Sequence, residues 1–130
     1  MRKRNLFTIA IVVCFLIFAL LMFTKPAKVD LGESNLYSPE EIQAAADAVI
    51  EKFEDFKGCR LFKVAYAGDL ESLAKNGYSS EYDEAVVMKA VFLSPLRAES
   101  GWDPHEVYTW WFTLKRTDHG PWELQTWGGG

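Results

Sequence analysis

Two histidines in this chain stand beside carboxylates: His105 follows Asp103 across Pro104, and His119 directly follows Asp118. A histidine next to a carboxylate is the minimal equipment for general acid–base catalysis, because the carboxylate orients the ring and stabilises the imidazolium. Both pairs, however, are embedded in turn chemistry. Pro104 and Gly120 flank them, and Asp, Pro and Gly gather in turns for backbone reasons. Turn composition explains the pairs more economically than catalysis, so no catalytic residue is assigned. Zinc needs three or four convergent ligands. Two distant histidines with Cys59 are too few, and neither a metal nor another cofactor is expected. Gly128 to Gly130 precede no helix, which removes a phosphate-cradling loop.

The more suggestive residues are aromatic. Trp102, Trp110, Trp111, Trp122 and Trp127 fall within 26 residues. Aromatic side chains in strands ordinarily serve as core. Adjacent residues of a strand point to opposite faces, so Trp110 and Trp111 must point apart. Trp110 is expected beneath a helix. Trp111 is the leading candidate for a ligand or partner contact, with Trp102 in a polar loop and Trp127 in the last strand behind it.

These residues must be positioned by the elements around them. Arg2, Lys3 and Arg4 precede an apolar run from Leu6 to Phe23 that only Thr8 interrupts. A helix of about 20 apolar residues spans a bilayer core. Residues 1–24 therefore read as a membrane anchor crossing through residues 6–23, a single-pass signal anchor in the cell membrane. The preceding cations keep the amino terminus cytoplasmic and the rest of the chain extracellular. A cleaved signal peptide is the alternative, though Met22 to Ala27 offers no clean small-x-small site. Acylation at Cys14 is a further alternative, set against Val13 before it and continued apolar sequence after it.

All 18 Asp+Glu but only 11 of the 14 Lys+Arg follow the run, leaving a formal −7 outside. That balance argues against nucleic acid and anionic lipid surfaces as partners. Cys14 and Cys59 fall in different compartments on this reading, so no internal disulfide joins them. Core packing must then hold the fold, with Cys59 as a buried small residue.

Residues 25–37, with Pro26, Gly32, Ser34 and Asn35, read as a linker. Residues 38–130 read as one domain. Ser38-Pro39-Glu40-Glu41 opens a helix: Ser38 caps, Glu41 reaches back, and Pro39 sits where its missing N–H is harmless. Ile42, Ala45, Ala46, Val49, Ile50, Phe53 and Phe56 then form one apolar face, and Gly58 supplies the stop.

Four strands are expected beyond it, over Cys59–Ala67, Glu84–Leu93, Glu106–Arg116 and Pro121–Trp127. In the first, Phe62, Val64 and Tyr66 share one side. In the third, Val107 and Trp111 share the face away from the helix, with Trp127 nearby. Residues 68–82 read as a short excursion broken at Gly77-Tyr78, and residues 94–105 as a polar loop. Short turns between strands imply an antiparallel meander. The fold class is thus α+β: an N-terminal transmembrane helix, then one amphipathic helix packed on a four-stranded antiparallel sheet.

The motifs Tyr37-Ser38-Pro39-Glu40-Glu41-Ile42, Phe56-Lys57-Gly58-Cys59 and Trp127-Gly128 carry a resemblance over residues 36–128. The chain resembles a group of uncharacterised exported proteins of Gram-positive bacteria. Their domain of unknown function has a cystatin-like or NTF2-like fold. The resemblance implies helix-on-sheet architecture and carries over no catalytic residues. Several members look like lipoproteins, which the surroundings of Cys14 do not match. The glutamine-valine-glycine wedge of cystatin-type protease inhibitors has only a loose echo at Gln125-Thr126-Trp127-Gly128.

The function expected is that of a membrane-anchored extracytoplasmic, non-catalytic binding or interaction module. Its partner would be an envelope protein or a small apolar ligand held against Trp111. The alternatives are a small hydrolase or isomerase working in a cone-shaped pocket, a regulatory exterior domain, or a secreted or lipid-anchored version of the same domain.

Overall fold

The structure is a computed structural model that describes residues 2–23, 26–75, 84–97 and 102–129. Three α-helices and five strands follow one another: α1 (Arg2–Phe23), β1 (Lys28–Asp30), α2 (Pro39–Phe53), β2 (Arg60–Tyr66), α3 (Asp69–Lys75), β3 (Glu84–Leu93), β4 (Val107–Arg116) and β5 (Glu123–Gly129). The strands form one sheet in chain order, β1-β2-β3-β4-β5. β1 runs parallel to β2, and the other neighbours are antiparallel.

Two parts of the expected fold class are corrected. The first is the membrane segment. Among the described residues no helix is long and apolar enough to cross a membrane. The expected single-pass anchor through residues 6–23 is overturned. The second correction is the sheet, which has five strands and is mixed. β1 lies inside the expected linker, where Val29 pairs with Val64 and packs against the core. A second helix after β2, α3, joins the amphipathic one. The Gly77-Tyr78 break and part of the 94–105 loop lie outside the described residues.

α2 forms for the reasons its sequence gives. The Ser38 side chain accepts from the Glu41 N–H at 3.2 Å, and the Glu41 carboxylate accepts from the Ser38 N–H at 3.0 Å. Ile42, Ala45, Ala46, Val49 and Phe53 are buried on one stripe. The two alanines let the helix lie close to the sheet, over Val64, Tyr66, Val86, Met88, Ala90, Phe92, Phe112 and Leu114.

Two irregularities decide which side chains face α2. A bulge between Leu61 and Lys63 inserts Phe62 as an extra residue in β2. Leu61, Val64 and Tyr66 consequently face the core, while Phe62 is exposed rather than aligned with Val64 and Tyr66. A second shift, between Thr113 and Leu114, places Gln125 outside the β4–β5 register. Leu124 and Trp127 therefore pair with Leu114 and Phe112 on the α2 side, three residues apart instead of two.

Candidate functional site

Among the described residues, only α3 lies over the sheet face away from α2 and covers part of it. α3 crosses it near the start of β3. The Ser72 hydroxyl, fully buried, accepts from the Val87 N–H at 3.1 Å. Asp69 holds the first turn of α3 in place. It accepts from the Ser34 hydroxyl at 2.6 Å, the Tyr66 hydroxyl at 2.6 Å and the Asn35 N–H at 2.9 Å. These donors, Ser34 foremost, hold its carboxyl below the usual carboxylate value. Ala85, Val87 and Thr113 are buried in this region.

Beside that cover lies a groove of about 450 Å³, lined by Glu71 and Lys75 of α3, Val87 of β3, Trp111 and Thr113 of β4, and Thr126 to Gly129 of β5. The size falls in the usual range for small-ligand pockets. Trp111 stands in a row of small neighbours. Gly128 is directly across from it in β5, and a Cβ added at Gly128 would meet nothing within 4 Å. On its other side is Lys89, whose ammonium lies 4.3 Å from the Trp111 ring centroid. A half-exposed indole bordered by two threonines, a valine and a cation offers an apolar plate with polar groups at its edge.

Trp127 and Trp102, the other two expected contacts, do not join Trp111. The Trp127 ring lies on the α2 side of the sheet, under the Lys52 ammonium at 4.6 Å, and only its strand borders the groove. Trp102 leaves the polar loop for the core. Its ring meets Phe56, Trp110 and Phe92 at centroid distances of 5.7, 5.7 and 6.0 Å. Trp110 faces the same cluster beneath α2, packed on Phe92 at 5.3 Å.

A second group of chemically capable side chains sits at the far end of the sheet, under the start of α2. Arg116 is 6% exposed and ends the core-facing series of β4. It donates to Glu84 Oε2 from Nε at 2.9 Å and from Nη2 at 2.6 Å, and it pairs with Glu41 through the same Nη2. Its guanidinium covers the Trp122 ring at 4.2 Å, while Trp122 Nε1 donates to the Glu41 carbonyl at 3.0 Å. His119 reaches Glu84 Oε1 at 3.5 Å from an exposed position. Asp118 and His119 have φ of 50° and 55°, and the Gly120 N–H returns to the Thr117 carbonyl at 2.9 Å. Two successive positive φ values make this a primed turn, the kind that suits a tight antiparallel connection.

The grouping of Glu41, Glu84 and His119, whose ligand atoms lie within 4.8 Å of one another, has the composition of a metal centre. The sequence reading missed it, having counted only histidine and cysteine. Arg116 already occupies the space between the two carboxylates, and a divalent cation would have to displace or abut that charge. The acid–base chemistry is equally disfavoured. The Ser38 backbone N–H first, and then Arg116, hold the Glu41 carboxyl below its ordinary value, away from the neutral range a general base needs. The cluster ties α2 to the β3–β4 end of the sheet. Its signal in the sequence was Arg116 itself, a charge that continues the alternation Tyr108, Trp110, Phe112, Leu114 and so demands buried partners.

The remaining expected pair, Asp103 and His105, is exposed in the β3–β4 connection. There the Asp103 N–H donates to the Tyr108 hydroxyl at 2.7 Å and the His105 N–H to the Pro95 carbonyl at 2.9 Å. Cys59 packs against the core, and burial raises its thiol pKa, which disfavours the thiolate.

No protein-family model, no curated protein and no solved structure matches this chain. The resemblance to exported Gram-positive proteins therefore rests on its sequence motifs alone.

Proposed function

We propose that this domain is a non-catalytic binding module whose contact surface is the groove beside Trp111. One observation carries the reading: Trp111 lies half exposed on the uncovered side of the sheet, next to a groove of ligand-accommodating size. The other four tryptophans have packing or charge partners on the α2 side. The groove suits a small apolar ligand or one apolar side chain of a protein partner, with Thr113, Thr126 and Glu71 available for orientation.

The hydrolase or isomerase alternative needs a carboxylate or histidine tuned toward neutrality. The best-placed carboxylate, Glu41, is shifted the other way.

Fragment screening by amide correlation NMR tests the proposal. Hits are expected to move the Thr126, Gly128 and Gly129 amides and the Trp111 indole N–H, and to disappear in Trp111→Ala. Hits that cluster around Glu41, Glu84 and His119, or that survive Trp111→Ala, would overturn it.

A further inference from the structure

The groove opens onto a line of cations. Lys89, across from Trp111, has Ala65 on its other side. Lys63 is one strand over and two residues along, paired with Val91, and Lys28 stands directly across from Lys63 in β1. Strand spacing and pleat put such diagonal neighbours about 7–8 Å apart. Trp111, Lys89, Lys63 and Lys28 thus make a run across four strands of one face, with one diagonal step, from Lys89 to Lys63, between two direct cross-strand pairs. Like charges directly opposite each other destabilise a sheet, so Lys28 beside Lys63 does nothing for the fold.

Among the described residues the carboxylates near this face include Asp30 and Glu71, the latter lining the groove with Lys75. Asp30 reaches Lys63 at 3.6 Å, with side chains 50% and 41% exposed. Among the described residues the Lys89 ammonium meets the Trp111 ring and no carboxylate. The other side of the molecule is acidic: Glu40, Asp47, Glu51, Glu54 and Asp55 are exposed on or just after α2. Among the described residues the run of lysines therefore lies on the side opposite these α2 carboxylates.

We infer that this cationic face docks an acidic peptide segment in extended form, with one apolar side chain seated in the groove at Trp111. The inference rests on the groove being the binding surface. Charge complementarity selects an anionic partner. The geometry suits a peptide, because alternate side chains of an extended chain recur about every 6.6–6.8 Å, close to the one diagonal step from Lys89 to Lys63. A uniformly charged polymer would supply anions but nothing for the apolar plate of Trp111.

The test is fluorescence anisotropy of a labelled short peptide of alternating glutamate and leucine. A lysine–leucine peptide and linear polyphosphate serve as comparisons. The glutamate peptide is expected to bind the full chain, more weakly as salt rises. The double variant Lys63→Glu/Lys89→Glu should lose about tenfold or more in affinity through like-charge repulsion. Thermal melts confirm folding, and Lys63→Gln/Lys89→Gln carries the same test if the reversed charges unfold the sheet. Unchanged binding in the lysine variants, or binding of polyphosphate without the peptide, overturns the inference. Loss of binding in Trp111→Ala alone would sink the cationic face and keep the groove. Loss in the lysine variants alone would do the reverse.

Discussion

Replacing Arg116 by methionine removes the buried guanidinium that faces Glu41 and Glu84. Both carboxylates approach the same nitrogen, Nη2, so its loss leaves two negative charges turned toward each other. Breaking a buried ion pair from one side costs about 3–5 kcal/mol. Here the carboxylate side chains are 33% and 26% exposed, so water screens part of the repulsion and the lower end applies. Loss of the guanidinium from the Trp122 ring adds roughly 0.5–1 kcal/mol. A deficit of about 3–4 kcal/mol is expected at neutral pH.

The assay is denaturant unfolding of the full chain followed by tryptophan fluorescence. Mild detergent is needed to keep the exposed apolar side chains of α1 from self-association. Adding Glu41→Gln and Glu84→Gln to Arg116→Met should return most of the loss, because the defect is unpaired charge.

The pH dependence has a definite sign. The Glu41 carboxyl is depressed in the folded state, first by the Ser38 N–H and then by Arg116. Its contribution is complete above the ordinary carboxylate value and is lost as pH falls through the depressed one. Without Arg116 there is less to lose, so the gap between the two proteins must narrow on acidification. A gap under about 1 kcal/mol at neutral pH, or one that acid leaves unchanged, would refute the assignment of this cluster as a structural tie.

Three further substitutions have defined expectations. Ser38→Ala should cost about 1 kcal/mol in the same unfolding assay, since it removes the side-chain half of the capping box. Gly58→Ala should cost about 1–2 kcal/mol: Gly58 has φ +82°, and an added Cβ would sit 3.1 Å from Pro95 side-chain carbons. Trp111→Ala should shift stability by about 1 kcal/mol or less, whereas Trp110→Ala should cost about 3 kcal/mol or more. Equal costs at the two tryptophans would mean that Trp111 is packed like core and has no vacant side.

Much of the α2 layer was legible because its determinants are local. The capping box, Pro39, the apolar stripe and Gly58 lie within twenty-odd consecutive residues, and each acts on its own turn of backbone. The opposed directions of Trp110 and Trp111 were equally legible, since adjacent strand residues alternate without exception until a bulge intervenes. Errors began where a bulge did. One extra residue at Phe62 turned it out of the series it was expected to share with Val64 and Tyr66. One at Gln125 carried Trp127 to the face opposite Trp111. Nothing in either strand's own composition announces such an insertion, because it is set by the pairing of two distant segments. β1 escaped notice for a related reason: three residues with one apolar side chain make no pattern until β2 is there to pair with. The Arg116 cluster draws on positions 41, 84 and 116, which only the folded sheet brings together.

The bulge at Gln125 also bears on why a binding surface exists. Had the alternation of β5 run unbroken from Leu124, residue 127 would have faced Trp111's side of the sheet, and a tryptophan there would have flanked the Trp111 ring. Instead Gly128 lies across from Trp111, and the space beside the indole is left without a side chain. The same shift delivers Trp127 to Lys52 on α2, where its area covers the edge of the core. One extra residue thus closes one face of the sheet and opens the other. Deleting Gln125 should leave both environments in place: Thr126 still pairs with Thr113 and Trp127 with Phe112 in unbroken alternation from Leu124, the Lys52 contact persists, and fragment binding at the groove is kept. A Gln125 deletion that folds and loses binding through Trp111 would show that the vacancy beside the ring depends on the bulge itself and not on the pairing of Gly128 with Trp111.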